Sequence, residues 1–282
     1  ALDAMPLTST EDAEQSFFST RSTDQRDSTS GQRRLEASLR LPLAALGLPR
    51  RLRRIRSDSQ AFWNESLAAL PEENVREAAS RLERALDRFS DEVAAQIVAS
   101  TVATFCSGRL ERAIESTPES ASTDADNLAL RLLGGFGDLE EVRVSADLWQ
   151  AARGDQDLAP FLSRHGFRGP ADGELSSWSW RENPKPIEAL FDPYRALPEK
   201  KSPLAAERRR MEDRQVASRE FLARFRGIKG ARGRLLLRLS ERYVPLRVIA
   251  KAAFQQTFDV ARAAARRIGR LHEASDKLKE AE

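Results

Sequence analysis

Between Val75 and Phe105 the chain sets an apolar residue at steps of mostly three and four, with no glycine or proline to interrupt the run. Val75, Ala79, Leu82, Leu86, Phe89, Val93, Ile97 and Phe105 form the stripe, and Arg, Glu, Asp and Ser fill much of the rest. That spacing returns side chains to one face of an α-helix and does not suit a strand, whose faces alternate at every residue. The reading starts the helix at Pro71, where a missing N–H costs nothing. Glu72 and Glu73 follow, suited to the positive end of the helix dipole. It ends near Ile114. Val102, Ala103, Phe105 and Cys106 widen the apolar character, so this part is expected to be the most deeply buried.

A second long helical stretch is predicted from Gly233 to Leu271, carried by Leu235, Leu236, Leu239, Phe254, Phe258, Ala261, Ala265 and Ile268. Pro245 lies inside it and should kink or break it, since it removes one hydrogen bond and crowds the preceding turn. Shorter helices are predicted over Asp126–Leu133, over Leu139–Ala152 with Trp149 inward and Gly154 as terminator, and over Pro203–Arg226. Ser202 would cap the last of these and Gly227 end it. Upstream, Leu35–Leu46 and Leu52–Leu70 read as two helices separated by Gly47 and Pro49, with Pro42 inside the first. No segment alternates apolar and polar residues between hairpin turns. The fold class is therefore all-α, an irregular multi-helix domain with two long helices and one long functional loop. Segments 20–32 and 117–126, rich in Ser, Thr and Asp, are expected to be flexible. No repeat of fixed period emerges, which argues against a solenoid.

Composition narrows the function classes. The 282 residues hold 46 basic and 43 acidic side chains, a net charge of +3, so the surface is mixed rather than polybasic. A single cysteine, Cys106, excludes an internal disulfide and a thiolate zinc cluster, and Cys106 reads as a small buried hydrophobe. His165 and His272 lie too far apart in sequence to suggest a metal centre, and none is expected. No run of eighteen apolar residues is free of charge, which argues against a transmembrane helix, and no secretory signal opens the chain. Cytoplasmic localisation without membrane contact is expected. The runs Arg50–Arg51–Leu52–Arg53–Arg54–Ile55–Arg56 and Arg208–Arg209–Arg210 read as solvated helix faces, so nucleic acid is an unlikely partner.

Phe161–Pro184, FLSRHGFRGPADGELSSWSWRENP, does not read as scaffold. It gathers two of the four tryptophans, one of the two histidines, three glycines and two prolines. A long irregular segment of this kind in a helical protein is usually functional or disordered, and two tryptophans two residues apart argue against disorder. Glycines let the backbone approach a ligand closely. The loop is either a binding site or a packed crossover whose tryptophans plug the core. Trp178 and Trp180, alternating along an extended segment, would lie on the same side. His165 reads as a partner of the helix C-terminus or a solvent-facing loop residue.

The runs His165-Gly166-Phe167-Arg168-Gly169-Pro170, Gly173-Glu174-Leu175-Ser176-Ser177 and Trp180-Arg181-Glu182-Asn183-Pro184 resemble the central part of phosphoenolpyruvate-utilising phosphotransferases. More narrowly, they resemble the rifampin phosphotransferase and phosphoenolpyruvate-synthase-like group. Met5-Pro6-Leu7-Thr8 and the stretch Val260–Arg270, with Arg262, Arg266 and Gly269, are similar to the two ends of the same family's middle domain. The resemblance implies that residues 1–282 are a single helical acceptor-binding domain and a fragment of a longer multidomain enzyme. An ATP-grasp domain and a phosphohistidine domain of the same parent protein would be its partners, with a small-molecule acceptor as its ligand. ATP and Mg²⁺ are implied for the parent, and no cofactor for this chain. Neither a Gly-rich nucleotide loop nor a Gly-Gly-x-x-Ser-His signature is present, so the chain alone is expected to be inactive. Where the family often has Arg-Glu, this chain has Arg247-Val248.

Under that resemblance Glu174 is the candidate proton acceptor, since a hydroxyl must lose its proton as a phosphoryl group arrives. Arg168, Gly169, Gly173, Trp178, Trp180 and Arg181 are the candidate acceptor-binding residues, the two arginines offering bidentate geometry to phosphate. The alternative is that Glu174 pairs with Arg168 or Arg181 to brace the loop. At the level of the whole chain, the alternative is a helical protein-interaction module or a degenerate domain without a small-molecule ligand.

Overall fold

A computed structural model describes residues 30–116, 124–137, 139–154, 157–171, 173–225 and 227–275, without the side chains of 30–45, 124–126, 228 and 229. Among these residues all regular structure is helical, as the spacing predicts. In chain order the α-helices are α1 (Ser30–Ala69), α2 (Val75–Glu115), α3 (Asp124–Leu133), α4 (Glu140–Arg153), α5 (Leu158–His165), α6 (Lys185–Glu188), α7 (Phe191–Ala196), α8 (Pro203–Ala223), α9 (Gly227–Tyr243) and α10 (Leu246–Ala274), with 3₁₀ turns at Leu70–Glu72 and Glu199–Lys201. Two compact units are distinguished, Ala1–Ala44 and Ala45–Glu282. All side-chain contacts given below lie within the second.

The helix ends follow local chemistry. Pro71 sits in the 3₁₀ turn, and α2 opens four residues later, because Asn74 is the better cap. Its side chain accepts from the backbone of Arg76 and Glu77, while Glu77 accepts from the backbone N–H of Asn74, a capping box. Glu73 does not serve the dipole as expected; its carboxylate pairs with Arg81. Pro245 divides α9 from α10 as expected. Pro49 does not divide α1, although it lacks the N–H for one helical bond. Leu48 and Leu52 are buried on either side of it, and their packing holds the helix continuous. Residues 20–29 and 117–123 of the segments expected to be flexible lie outside the described residues, while 30–32 and 124–126 are helical.

The core is the seam between α2 and α10, the most extensive contact in the molecule. Ala95 and Ala99 cluster with Ala250, Ala85 with Ala252 and Ala261, and Ala78 with Ala263 and Ala264. The order reverses along the two helices, so they run antiparallel. Alanines on both sides let the backbones approach closely without ordering long side chains. Phe89 fills the middle, 5.9 Å from Phe254 and 5.3 Å from Phe258 between ring centroids.

This seam corrects the sequence reading of which residues of α2 are buried. Phe105 is 57 % exposed and Ile97 61 %, whereas Val102, Ala103 and Cys106 are buried as expected. α2 is apolar over much of its circumference, and the partner selects the face that its alanines can approach. For the same reason α2 contains an 18-residue window of mean hydropathy 1.2, apolar enough to cross a membrane by length and composition, contrary to the expectation from charge spacing. A third of that window is buried inside this protein.

Phe105→Ala should therefore cost less than about 1 kcal/mol, as is usual for an exposed site. Leu110→Ala, at a position with no exposed surface, should cost about 2–5 kcal/mol. Urea unfolding of the two variants measures both, and equal losses would contradict this placement of the core.

Candidate functional site

The irregular segment begins at Gly166, since Leu158–His165 is helical, and it ends where α6 starts. Two backbone bonds close its neck: Trp180 N–H donates to the Arg168 carbonyl at 2.7 Å, and Arg181 N–H to the Gly166 carbonyl at 2.9 Å. The neck requires glycine. A Cβ at Gly166 would lie 2.3 Å from the Leu162 carbonyl oxygen, and one at Gly169 would lie 2.7 Å from the Trp178 carbonyl oxygen. Phe167 anchors the neck in the core, edge-on to Trp63 at 5.7 Å.

α10 holds the rest of the loop through one stripe of residues, Asp259, Arg262 and Arg266, spaced to share a face. Asp259 is fully buried. Its carboxylate accepts from Trp63 Nε1 at 2.9 Å, from Arg181 Nε at 3.3 Å and from Arg262 Nη1 at 3.4 Å. Arg262, 2 % exposed, donates onward to the Glu174 carbonyl at 3.0 Å. Arg266 donates to the carbonyls of Ser176 and Ser177 at 3.0 and 2.7 Å and pairs with Glu182. Burial opposes charge on Glu182. Bonds from Arg266 and the Ser179 N–H, with the Arg181 charge, outweigh it and hold that carboxyl below its usual range.

The seven residues singled out from the sequence divide over this frame. Glu174 is at the exposed tip, and its carboxylate makes no ion pair among the described residues. Its main chain, not its side chain, is what Arg262 holds. Gly173 beside it faces open space. Trp178 is 56 % exposed, with the Arg266 guanidinium 4.3 Å from its ring centroid. Trp180 turns away, stacked on Phe161 at 6.0 Å beside Leu148 and Ile187, so the two tryptophans do not share a side. The turn through Ser179 to Glu182 breaks the extended alternation that the sequence reading assumed. Arg181 is committed to Asp259 and Glu182. Arg168 is half-buried over Phe167, and Gly169 packs on the Trp178 carbonyl.

His165 faces neither solvent nor the loop tip. It is 3 % exposed, and its Nε2 lies 2.8 Å from Asp147 on α4. Burial lowers its pKa, and the Arg168 charge adds to this; Asp147 and Glu140 only partly offset them. Sequence reasoning missed Asp259 and Asp147. Asp259 had a visible signal, an acid inside the apolar face of α10 between Phe258 and Val260.

Two outcomes are expected. Asp259→Asn should cost about 3–5 kcal/mol in urea unfolding, the range for breaking a buried ion pair, because Arg262 would lose its counter-charge. A loss under about 1 kcal/mol would remove Asp259 from the centre of the frame. His165 has a folded pKa below its usual 6.5, so the stability it contributes is present above that pH and lost as pH falls through it. The acid-side fall in stability should flatten in His165→Gln, compared by urea midpoints across that window.

Residues 154–247 match the family model described as the rifampicin phosphotransferase fourth domain. No curated protein matches the chain. The match spans the whole irregular loop, α8 and α9 and ends just before Val248, so it covers the residues that carry the loop motif. Over this segment, about a third of the 282 residues, the chain is similar to the rifampicin phosphotransferase fourth domain.

Proposed function

We propose that the chain supplies the acceptor-binding helical portion of an ATP-dependent, dikinase-type phosphotransferase that works through a phosphohistidine relay in the cytoplasm. The loop from Gly166 to Pro184 forms one wall of the acceptor site. ATP and Mg²⁺ belong to the parent enzyme's other domains in this reading. Among the described residues no group of three or more His, Cys, Asp or Glu is placed to hold a metal ion, so no metal chemistry is assigned to this chain. The isolated chain is expected to be incomplete as a catalyst.

The observation that carries the reading is Glu174. Its backbone is fixed by a buried arginine while its carboxylate stays exposed and, among the described residues, without an ion pair. A carboxylate so placed can take the proton of an acceptor hydroxyl as the phosphoryl group arrives. On the same loop Trp178 offers an exposed aromatic face and Arg168, at the neck, a positive charge. Glu174→Gln in the full-length enzyme should lower turnover by about 10²–10⁴-fold, the usual range for general-base help, with an unchanged melting temperature. Normal turnover in that variant would remove Glu174 from the chemistry.

A second reading is a helical interaction module. Leu86, Ile97 and Phe105 are large apolar side chains left 43 %, 61 % and 57 % exposed on α2, and such a row suits a partner helix. An acceptor that binds the full-length enzyme with equal affinity after Trp178→Ala and Arg168→Ala would favour this reading over the first.

A further inference from the structure

Arg50, Arg51 and Arg54 share one face of α1 with Ile55 and Asp58. Across from them α2 presents Arg88 and Glu92, and between the two helices lies a cleft of about 550 Å³. That volume falls within the range of small-molecule sites, about 300–1,000 Å³. No residue of the Gly166–Pro184 loop lines it.

Its charges are unevenly matched. Arg50, Arg51 and Arg54 are exposed and make no ion pair among the described residues. Arg88 lies over the Phe62 ring at 4.7 Å and reaches Glu92 only at 3.7 Å. Glu92 lines the cleft from a site 4 % exposed. Its Oε1 accepts from the Ser59 hydroxyl at 2.6 Å, while its Oε2 has no partner. Burial pushes the Glu92 carboxyl up from its ordinary pKa, against the lowering pull of Ser59, Thr257 and the Arg88 charge. Four guanidinium groups, the carboxylates of Asp58 and Asp91 and the buried Glu92 thus border one concave space, an excess of arginine over acid.

We propose that this cleft binds a small phosphorylated anion, with Arg50, Arg51, Arg54 and Arg88 holding a phosphate or diphosphate group. Guanidinium forks match phosphate oxygens two at a time, and Arg is favoured over Lys wherever that planar geometry is used. A nucleic-acid strand suits the cleft less well. Asp58 and Asp91 line the same cleft, so only a compact anion seated between the guanidinium groups can avoid them, whereas an extended phosphodiester backbone would have to pass them; the Phe62 ring lies against the Arg88 guanidinium. The proposal stands apart from the acceptor loop and does not depend on it.

The test is isothermal titration of the full chain with inorganic pyrophosphate. Saturable binding is expected, weakened about tenfold by Arg51→Gln and again by Arg54→Gln, as for loss of one charge-assisted hydrogen bond each. Both side chains are exposed, so the variants should keep the native circular dichroism. Arg209→Gln, an exposed arginine on α8, should bind as the unaltered chain does. Arg51→Lys should recover only part of the affinity, because an ammonium cannot reproduce the fork. Absence of binding at millimolar pyrophosphate would overturn the proposal. So would equal weakening by Arg209→Gln, which would mark a diffuse charge effect. Tighter binding of a single-stranded oligonucleotide than of pyrophosphate, lost in the same two variants, would overturn it in favour of a nucleic acid.

Discussion

A single buried carboxylate, Asp259, ties the scaffold to the loop. It lies on the helix that forms the alanine seam with α2, and it meets α1 through Trp63, the loop through Arg181 and its own helix through Arg262. Removing a charge from water costs several kcal/mol, so such a group persists only where its partners are fixed and numerous. Here the constraint runs both ways. The carboxylate is held by two guanidinium groups and an indole N–H, and one of these, Arg181, reaches it only where the loop lies over α10. Closing the loop in turn needs Gly166 and Gly169, whose positions leave no space for a Cβ. The motif glycines and the buried acid therefore answer one geometric demand.

The helices were legible because their signal is local. Period, caps and breakers gave α2, α4, α8 and the division at Pro245 to within a few residues. The buried face of α2 was not legible. A helix with apolar residues on most sides does not announce which of them will be covered, and side-chain bulk alone points to the wrong ones. The choice was made by α10, whose alanines cluster with Ala85, Ala95 and Ala99 and leave Phe105 outside. Continuity through Pro49 had the same origin, since Leu48 and Leu52 are held by residues far along the chain.

The loop was visible by composition, and residues 154–247 bear out the resemblance. What holds the loop was not visible. Arg262 and Arg266 act 88 to 90 residues away in sequence, and they act on backbone carbonyls, which carry no side-chain signature. For that reason a Glu174 ion pair looked as plausible a brace as any. The structure braces the loop with carbonyls, and this leaves the carboxylate without a structural task. Nor could sequence tell that Trp178 and Trp180 part company, since the turn between them depends on Glu182 accepting from the Ser179 N–H and hydroxyl.

The arginines around Asp259 and those of the α1 run differ in how far they are engaged. Arg262 and Arg181 are matched to Asp259, and Arg266 to Glu182 and two carbonyls. These groups are already engaged and have little left to offer an incoming anion. A guanidinium in contact with water needs no protein acceptor, and Arg50, Arg51 and Arg54 keep their donors toward solvent. Arg56, on the same run but half-buried, binds Gln256 and Glu140. One basic run of seven residues is thus divided by helix phase into a bracing member and free ones. Exposed positive charge thus lines the cleft between α1 and α2, while in the loop Arg181 is engaged in holding the shape.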